Sequence, residues 1–290
     1  MFSKKRVPID IGPLNDTFEK LTKKLDQLVS GKNASHQMEV DRYLHEFLYN
    51  NPKYQNNKRL NRFEHQVFSQ FGEDGIINEI FNRVSTTNKY FIEFGVENGT
   101  ECNTTNLLFG DWQGLWIEGN REHCESIRQQ FSNVIRKGRL VVSNGFINTD
   151  NIEKFFEQAN TPIEPDLLSI DIDRNDYHVW KAIRNYRPRV VIIEYNAVFR
   201  PGCHFVVDYD AGAVWDGSSN FGASLDAYYQ LGLEKGYKLV GCSFSGVNAF
   251  FVREDLTGDH FENPFTPVLH YEPPRYFLYK KDGHYRKIQL

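Results

Sequence analysis

The stretch Lys89–Gly99, KYFIEFGVENG, decides how the rest of the chain is read. Its apolar run, Tyr90 to Phe94, is interrupted only by Glu93 and closes on Gly95, and Gly99 follows after three intervening residues. A short apolar run bounded by a glycine turn is the pattern of a buried parallel strand. A glycine turn at the end of such a strand lets a ligand approach the backbone closely. An acid at the strand end can accept hydrogen bonds from a ligand's hydroxyl or ammonium groups. Glu93, Gly95 and Gly99 are therefore candidate binding residues on the first strand of a ligand-binding α/β sheet.

Downstream, strands and helices alternate. Further strands are expected at Gly114–Glu118, Arg139–Val142, Asp166–Asp171 and Val190–Tyr195. Between them the spacing predicts helices from near Thr100 through Leu108, and over Arg121–Val134, Thr149–Gln158 and Asp176–Asn185. This alternation predicts a parallel sheet with right-handed crossovers. Ala197 to Gly222 is a long irregular stretch, of the kind that usually carries function. After a helix at Ala223–Lys235, the runs Tyr237–Cys242 and Asn248–Val252 are separated by a short SFSGV turn. Strands joined so closely form an antiparallel hairpin, because a parallel pair needs a longer crossover. The expected architecture is thus a Rossmann-like, mostly parallel seven-stranded sheet ending in an antiparallel hairpin. A nicotinamide dehydrogenase would instead end in a parallel strand and carry a three-glycine fingerprint.

Upstream, residues 1–67 read as an N-terminal helical extension to a domain over residues 68–290. Leu14, Phe18, Leu21, Leu25 and Leu28 form a two-heptad seam, with Pro13 near its start and Gly31 past its end. The seam is a candidate homodimer contact, or a stripe that packs on its own domain. Gly31–Gln37 reads as a linker, Val40–Leu48 as a second helix and Asn50–Asn61 as a loop. Ile76, Ile77, Ile80 and Phe81 make a third helical stripe.

The 290 residues are 40% hydrophobic and 25% charged, as in an ordinary globular protein. A net charge of −4 gives no support to nucleic-acid binding. No apolar run approaches the roughly 20 residues of a membrane span, and MFSKKRVPID lacks the apolar core of a secretory signal. The four cysteines, Cys102, Cys124, Cys203 and Cys242, are scattered, which predicts reduced thiols in a cytoplasmic protein rather than a zinc site.

Glu118, at the end of its strand, lies about 20 residues after the glycine turn, a spacing at which an acid can bond both ribose hydroxyls of a nucleoside. Acid, one residue, Gly, three residues, Gly resembles motif I of the class I S-adenosylmethionine (SAM) methyltransferases. SQFGEDGIINEIF (Ser69–Phe81), FIEFGVENGTECNTTNLL and DWQGLWIEGN together resemble the FkbM-like family of those enzymes over roughly residues 68–195. Several motifs in the right order are more specific than any one. The resemblance implies SAM as cofactor, with Gln70, Glu93, Gly95, Asn103, Thr104 and Glu118 in its pocket. It implies methyl transfer to a hydroxyl of a carbohydrate or other small-molecule acceptor. In this fold the adenine rests on the loop after the third strand, which makes Asn144 and Phe146 further candidates. The family reads Lys-Ile-Asp, an apolar residue, Glu-Gly where this chain has SIDIDRN. Asp171 is retained, whereas Asp173 and Arg174 replace the Glu-Gly pair.

Asp171, Glu194 and Asn196 come to one sheet edge and form a candidate Mg²⁺ site, resembling that of catechol-type O-methyltransferases. His204 is the first candidate for a general base, with His178 and Asp173 behind it. Tyr195, Trp215, Asp216 and Asn248 are candidates for the acceptor pocket. Two other readings remain: a non-catalytic methyltransferase-fold protein that assists glycan synthesis, and a metal-dependent oxygenase or hydrolase using Asp171, Asp173 and His204.

Overall fold

The computed structural model describes residues 12–279. Seven strands form one sheet: β1 (Tyr90–Phe94), β2 (Gln113–Glu118), β3 (Leu140–Asn144), β4 (Leu167–Ile170), β5 (Val190–Glu194), β6 (Tyr237–Cys242) and β7 (Asn248–Arg253). Their order across the sheet is β3-β2-β1-β4-β5-β7-β6. β7 runs antiparallel to both of its neighbours, and the other pairings are parallel. The mostly parallel seven-stranded sheet and its closing antiparallel hairpin are those expected from the strand–helix rhythm.

The sheet is buried on both faces, as a parallel sheet must be when crossover helices cover it. Alternation along each strand sends residues to opposite layers. Ile92, Phe94, Leu168, Ile170 and Ile193 pack with Trp180 and Tyr228. Phe91, Trp116, Leu167, Ile192 and Phe250 pack on the other side with Ile76, Ile77 and Ile80. The covering helices include α2 (Glu73–Val84), α3 (Arg121–Gln130), α4 (Ser132–Arg136), α5 (Ile152–Gln158), α6 (Asp176–Ala182) and α7 (Leu225–Glu234). The Ile76 to Phe81 stripe is the buried face of α2.

Two local expectations are corrected. The residues expected to form a linker, 31–37, are helical. One helix, α1, runs from Gly12 to Leu44 and is followed by a π-helical turn at His45–Tyr49. Gly31 alone costs a helix only about 1 kcal/mol, and no proline interrupts the segment to break it. Of the leucine seam, Leu21 is exposed, and the side chains of Leu14, Phe18, Leu25 and Leu28 lie outside the described residues. The helix expected from Thr100 is instead a turn followed by a short 3₁₀ segment, Thr105–Phe109, because residues 103 and 104 bond elsewhere, as described below.

The end of the N-terminal region is integrated with the sheet domain. Val40, Leu48 and Tyr54 pack against Phe244 and Leu278. The buried Glu272 accepts from Tyr54 Oη (2.8 Å), Lys53 Nζ (2.7 Å) and Arg275 Nη1 (3.0 Å), tying residues 53–54 to the segment after the sheet.

The amino edge of the sheet is held by one buried acid. Asp166 accepts from the backbone of Thr87, Asn88 and Lys89 at 2.7–3.0 Å, from Thr87 Oγ1, and from Arg189 Nη1 at 2.9 Å. Arg189 in turn donates to the Val84 carbonyl, closing the end of α2 onto β5. Removing one partner of a buried pair strands the other. Asp166→Ala should therefore lower unfolding stability by about 3–5 kcal/mol, read as a reduced urea midpoint. A loss under about 1 kcal/mol, within the range of an exposed pair, would show that the cluster does not anchor the edge.

Candidate active site

A cavity of about 680 Å³ opens at the carboxyl edge of the sheet, where β1, β2, β4 and β5 end. Its floor begins at Gly95 (φ +77°). A Cβ there would fall 1.5 Å from the Asp171 carbonyl oxygen. Only glycine allows the turns after β1 and β4 to touch, and that contact brings Asp171 beside the glycine turn.

Glu93 stands in the wall beside this floor with three donors on its carboxylate. It accepts from Asn103 N (2.9 Å), Thr104 N (3.0 Å) and Thr104 Oγ1 (2.5 Å). Thr104 Oγ1 accepts from Trp116 Nε1 of β2 at 2.8 Å, and Asn103 Nδ2 donates to Ser169 Oγ of β4 at 3.0 Å. The acid expected to meet a ligand hydroxyl lines the cavity and also orders its wall. Burial pushes its pKa up to about 7, against the lowering effect of these hydrogen bonds.

Glu118 ends β2 at the cavity. Its Oε2 accepts from Glu97 N (2.8 Å) and its Oε1 from Asn120 N (2.7 Å). It does not cap α3, since Asn120 does that by accepting from Glu122 N. Two backbone donors fix the carboxylate and leave further lone pairs for a ligand. Beside it, the exposed Phe146 ring lies over Gly119, where a Cβ would fall 2.7 Å from the ring.

The opposite side of the cavity is acidic. Asp171, Asp173 and Glu194 each bring a carboxylate oxygen within 4.8 Å of the others. Burial, reinforced by the neighbouring acids, holds Asp171 and Glu194 well above the usual carboxylate range. Burial also raises Asp173, whose backbone is left-handed (φ +64°). Behind them Asp176, buried and pushed up to about 6, accepts from Ile172 N with one oxygen, while its Oδ2 has no partner. Glu194 pairs in register with Asn248 of β7. Asn248 donates to Glu73 Oε1 at 3.0 Å. The motif beginning at Ser69 also has a local role. Asp74 Oδ2 accepts from the backbone of Val67, Phe68 and Ser69, and Glu73 Oε2 from Phe71 and Gly72, locking the entry to α2.

Of the residues expected in the site, Gln70, Asn103, Phe146, Trp215 and Asn248 line the cavity with Glu93, Gly95 and Glu118, as do Asp171, Asp173 and Glu194. Others stand outside its lining. Gly99 packs on Trp116 and Phe131, and Thr104 faces Glu93. Asn144 bonds the Glu118 and Gly119 carbonyls. Asn196 is turned from the acid cluster, donating to Ser219 and Phe221 carbonyls, and Asp173 stands in its place. His178 is bonded to the Val207 carbonyl at 2.7 Å, His204 is exposed away from the cavity, and Asp216 caps its own turn by accepting from Ser218 N. Tyr195 is buried and donates to the Glu272 carbonyl. Glu73, Glu97 and Asn175 also line the wall, although none of them is a candidate on sequence grounds. Glu73 and Glu97 sit inside the family-like motifs, but a motif does not show which side chains face inward.

No family model matches the chain, and no curated protein matches it in sequence. Solved structures are similar in part. A Staphylococcus aureus protein assigned as a caffeoyl-CoA O-methyltransferase is 14% identical, covering 76% of this chain and all of its own (TM-score 0.45). The O-methyltransferase TomG from Streptomyces achromogenes, solved with SAM, is 17% identical, covering 74% and 96% (TM-score 0.42). The N-terminal domain of EvdMO1, crystallised with SAH and D-fucose, is 10% identical, covering 62% and 80% (TM-score 0.40).

Glu93 gives this site a pH signature. Unfolded, it releases its proton near 4.5, while folded it retains it to about 7. The folded state binds more protons between these values, so this contribution to stability falls as pH rises through the window, by on the order of 3 kcal/mol in full. Glu93→Gln cannot ionise. Its stability relative to the parent should rise between pH 4.5 and 7.5 in urea unfolding, and a pH-independent difference would refute the assignment.

Proposed function

We propose that the chain is a SAM-dependent O-methyltransferase of the FkbM-like type, acting on a hydroxyl of a carbohydrate or other small molecule. The observation that carries this reading is the meeting, at one cavity, of the close glycine turn at Gly95 with the backbone-fixed carboxylate of Glu118. That pair suits a nucleoside ligand, with Glu118 accepting from the ribose hydroxyls and Phe146 covering the base. SAM supplies an electrophilic methyl group on a sulfonium centre. The cavity positions an acceptor hydroxyl against that carbon. The new C–O bond forms as the C–S bond breaks, sulfur keeps the electron pair, and the hydroxyl proton passes to a carboxylate. Positioning of this kind contributes much of the rate of an in-line transfer. His204 and His178 do not reach the cavity, so Asp173 is the base in this reading: it is accessible, and its raised pKa suits proton transfer.

A divalent cation fits the same wall. Asp171, Asp173 and Glu194 offer an all-oxygen donor set of the hard type that Mg²⁺ prefers, and Asp176 Oδ2 stands unpartnered behind it. Bound there, the ion would lower the acceptor hydroxyl's pKa. The oxygenase or hydrolase alternative loses the histidine it required. A non-catalytic role in glycan synthesis is the second reading, prompted by Asp173 and Arg174 in place of the family's Glu-Gly. Two further features belong to the proposal. The exposed part of α1 is offered as a homodimer contact. A cytoplasmic location is favoured by the free thiols, and among the described residues no helix is long and apolar enough to cross a membrane.

Calorimetry with SAM and S-adenosylhomocysteine tests the donor. Both should bind, and Glu118→Ala should weaken them by about tenfold or more, the size expected for charge-assisted hydrogen bonds. Absence of binding to the parent protein would end this reading. For the ion, Mg²⁺ or Mn²⁺ should raise the thermal midpoint of the parent protein. The shift should vanish in Asp171→Asn with Asp173→Asn, and its persistence in that variant would place the ion elsewhere.

A further inference from the structure

The cavity has a one-sided charge. Eight Asp and Glu residues line it and, among the described residues, neither Lys nor Arg does. Arg174, next to Asp173 in sequence, donates its Nη1 to the Asn220 carbonyl at 3.2 Å and is not part of the wall. On the side of the cavity opposite Glu118, where Asp171, Asp173 and Glu194 stand, a phosphate or carboxylate on the acceptor finds no described Lys or Arg to pair with and only acids beside it.

Asn175 and Asn248, both in the wall and more than nine-tenths buried, have committed their amide nitrogens to the Asp210 carbonyl and to Glu73. That fixes their orientation and leaves each Oδ1 without a donor. Both oxygens are closed off from the cavity space, so the acceptors open to a polyol's hydroxyls are the wall's carboxylates, of which Asp173 is exposed. At the mouth, Trp215 is 48% exposed. Its Nε1 is tied to the Ser218 carbonyl at 2.7 Å, and the Phe221 ring stands edgewise at 6.1 Å. A pinned indole with open surface suits stacking against the C–H face of a flat ring, at small entropic cost.

Resting on the methyl-transfer reading, we infer that the acceptor is a neutral hydroxylated ring, such as an uncharged glycoside. It stacks on Trp215 with its hydroxyls toward the carboxylates, and acceptors bearing phosphate or carboxylate are rejected. The test uses the full chain, with and without S-adenosylhomocysteine, and two probes that differ in one carboxylate: 4-nitrophenyl β-glucoside and 4-nitrophenyl β-glucuronide. By saturation-transfer NMR and titration, the glucoside should bind about tenfold or more tightly than the glucuronide. Trp215→Ala should weaken the glucoside about fivefold or more, leaving S-adenosylhomocysteine affinity unchanged. Equal or tighter binding of the glucuronide would overturn the inference. So would a glucoside affinity indifferent to Trp215→Ala, or no glucoside binding at millimolar concentration. If the glucoside preference holds but S-adenosylhomocysteine does not bind, the methyl-transfer reading fails and the recognition of neutral rings stands.

Discussion

The buried carboxylate of Glu93 holds the carboxyl edge of the sheet in its working shape. Three donors from residues 103 and 104 converge on it, and those two residues reach on to Trp116 in β2 and Ser169 in β4. One network thus ties three neighbouring strands to the loop that walls the cavity. Buried polar groups of this kind are stable only when every member is satisfied. The network accounts for why an acid, an Asn-Thr pair and a tryptophan stand together around this glycine turn: each answers a hydrogen-bonding need of another. It also fixes the Glu93 carboxylate in the cavity wall, while Glu118, with two donors, keeps more lone pairs open to a ligand.

The second constraint is electrostatic. Asp171, Asp173, Asp176 and Glu194 stand close together with no described Lys or Arg among them. Such a group can fold only by holding protons or by taking up positive charge, and burial drives it toward the first. Strain accompanies it, in the left-handed backbone of Asp173. A fold can do without such a cluster, and perturbed acids gathered in a cleft point to function. A cationic donor, a divalent ion and an acceptor rich in hydroxyls would each relieve the same imbalance.

Much of the architecture was legible in the chain. The strand–helix rhythm, the closing hairpin and the apolar face of α2 follow from periodicities that backbone geometry imposes. Candidate residues at strand ends, Glu118, Asp171 and Glu194, could be read because a parallel sheet brings those ends to one edge. Helix boundaries were less legible. Residues 31–37 look like a linker by composition yet continue α1, since polar residues without proline do not oppose a helix strongly enough to end it. Residues 100–104 look helical, but the backbone donors of Asn103 and Thr104 are drawn to Glu93.

The sequence by itself determined the sheet, its order of elements and the edge on which ligands would gather, because these depend on local period and short connections. Tertiary structure decided which polar side chains face the cavity. Asn196 and Asp173 exchanged places at the acid cluster. His204 and His178 were left outside it, and Tyr195 was committed to the Glu272 carbonyl. A side chain's partner is set by segments far away in the chain, such as the Phe221 carbonyl for Asn196. No local pattern records such a contact.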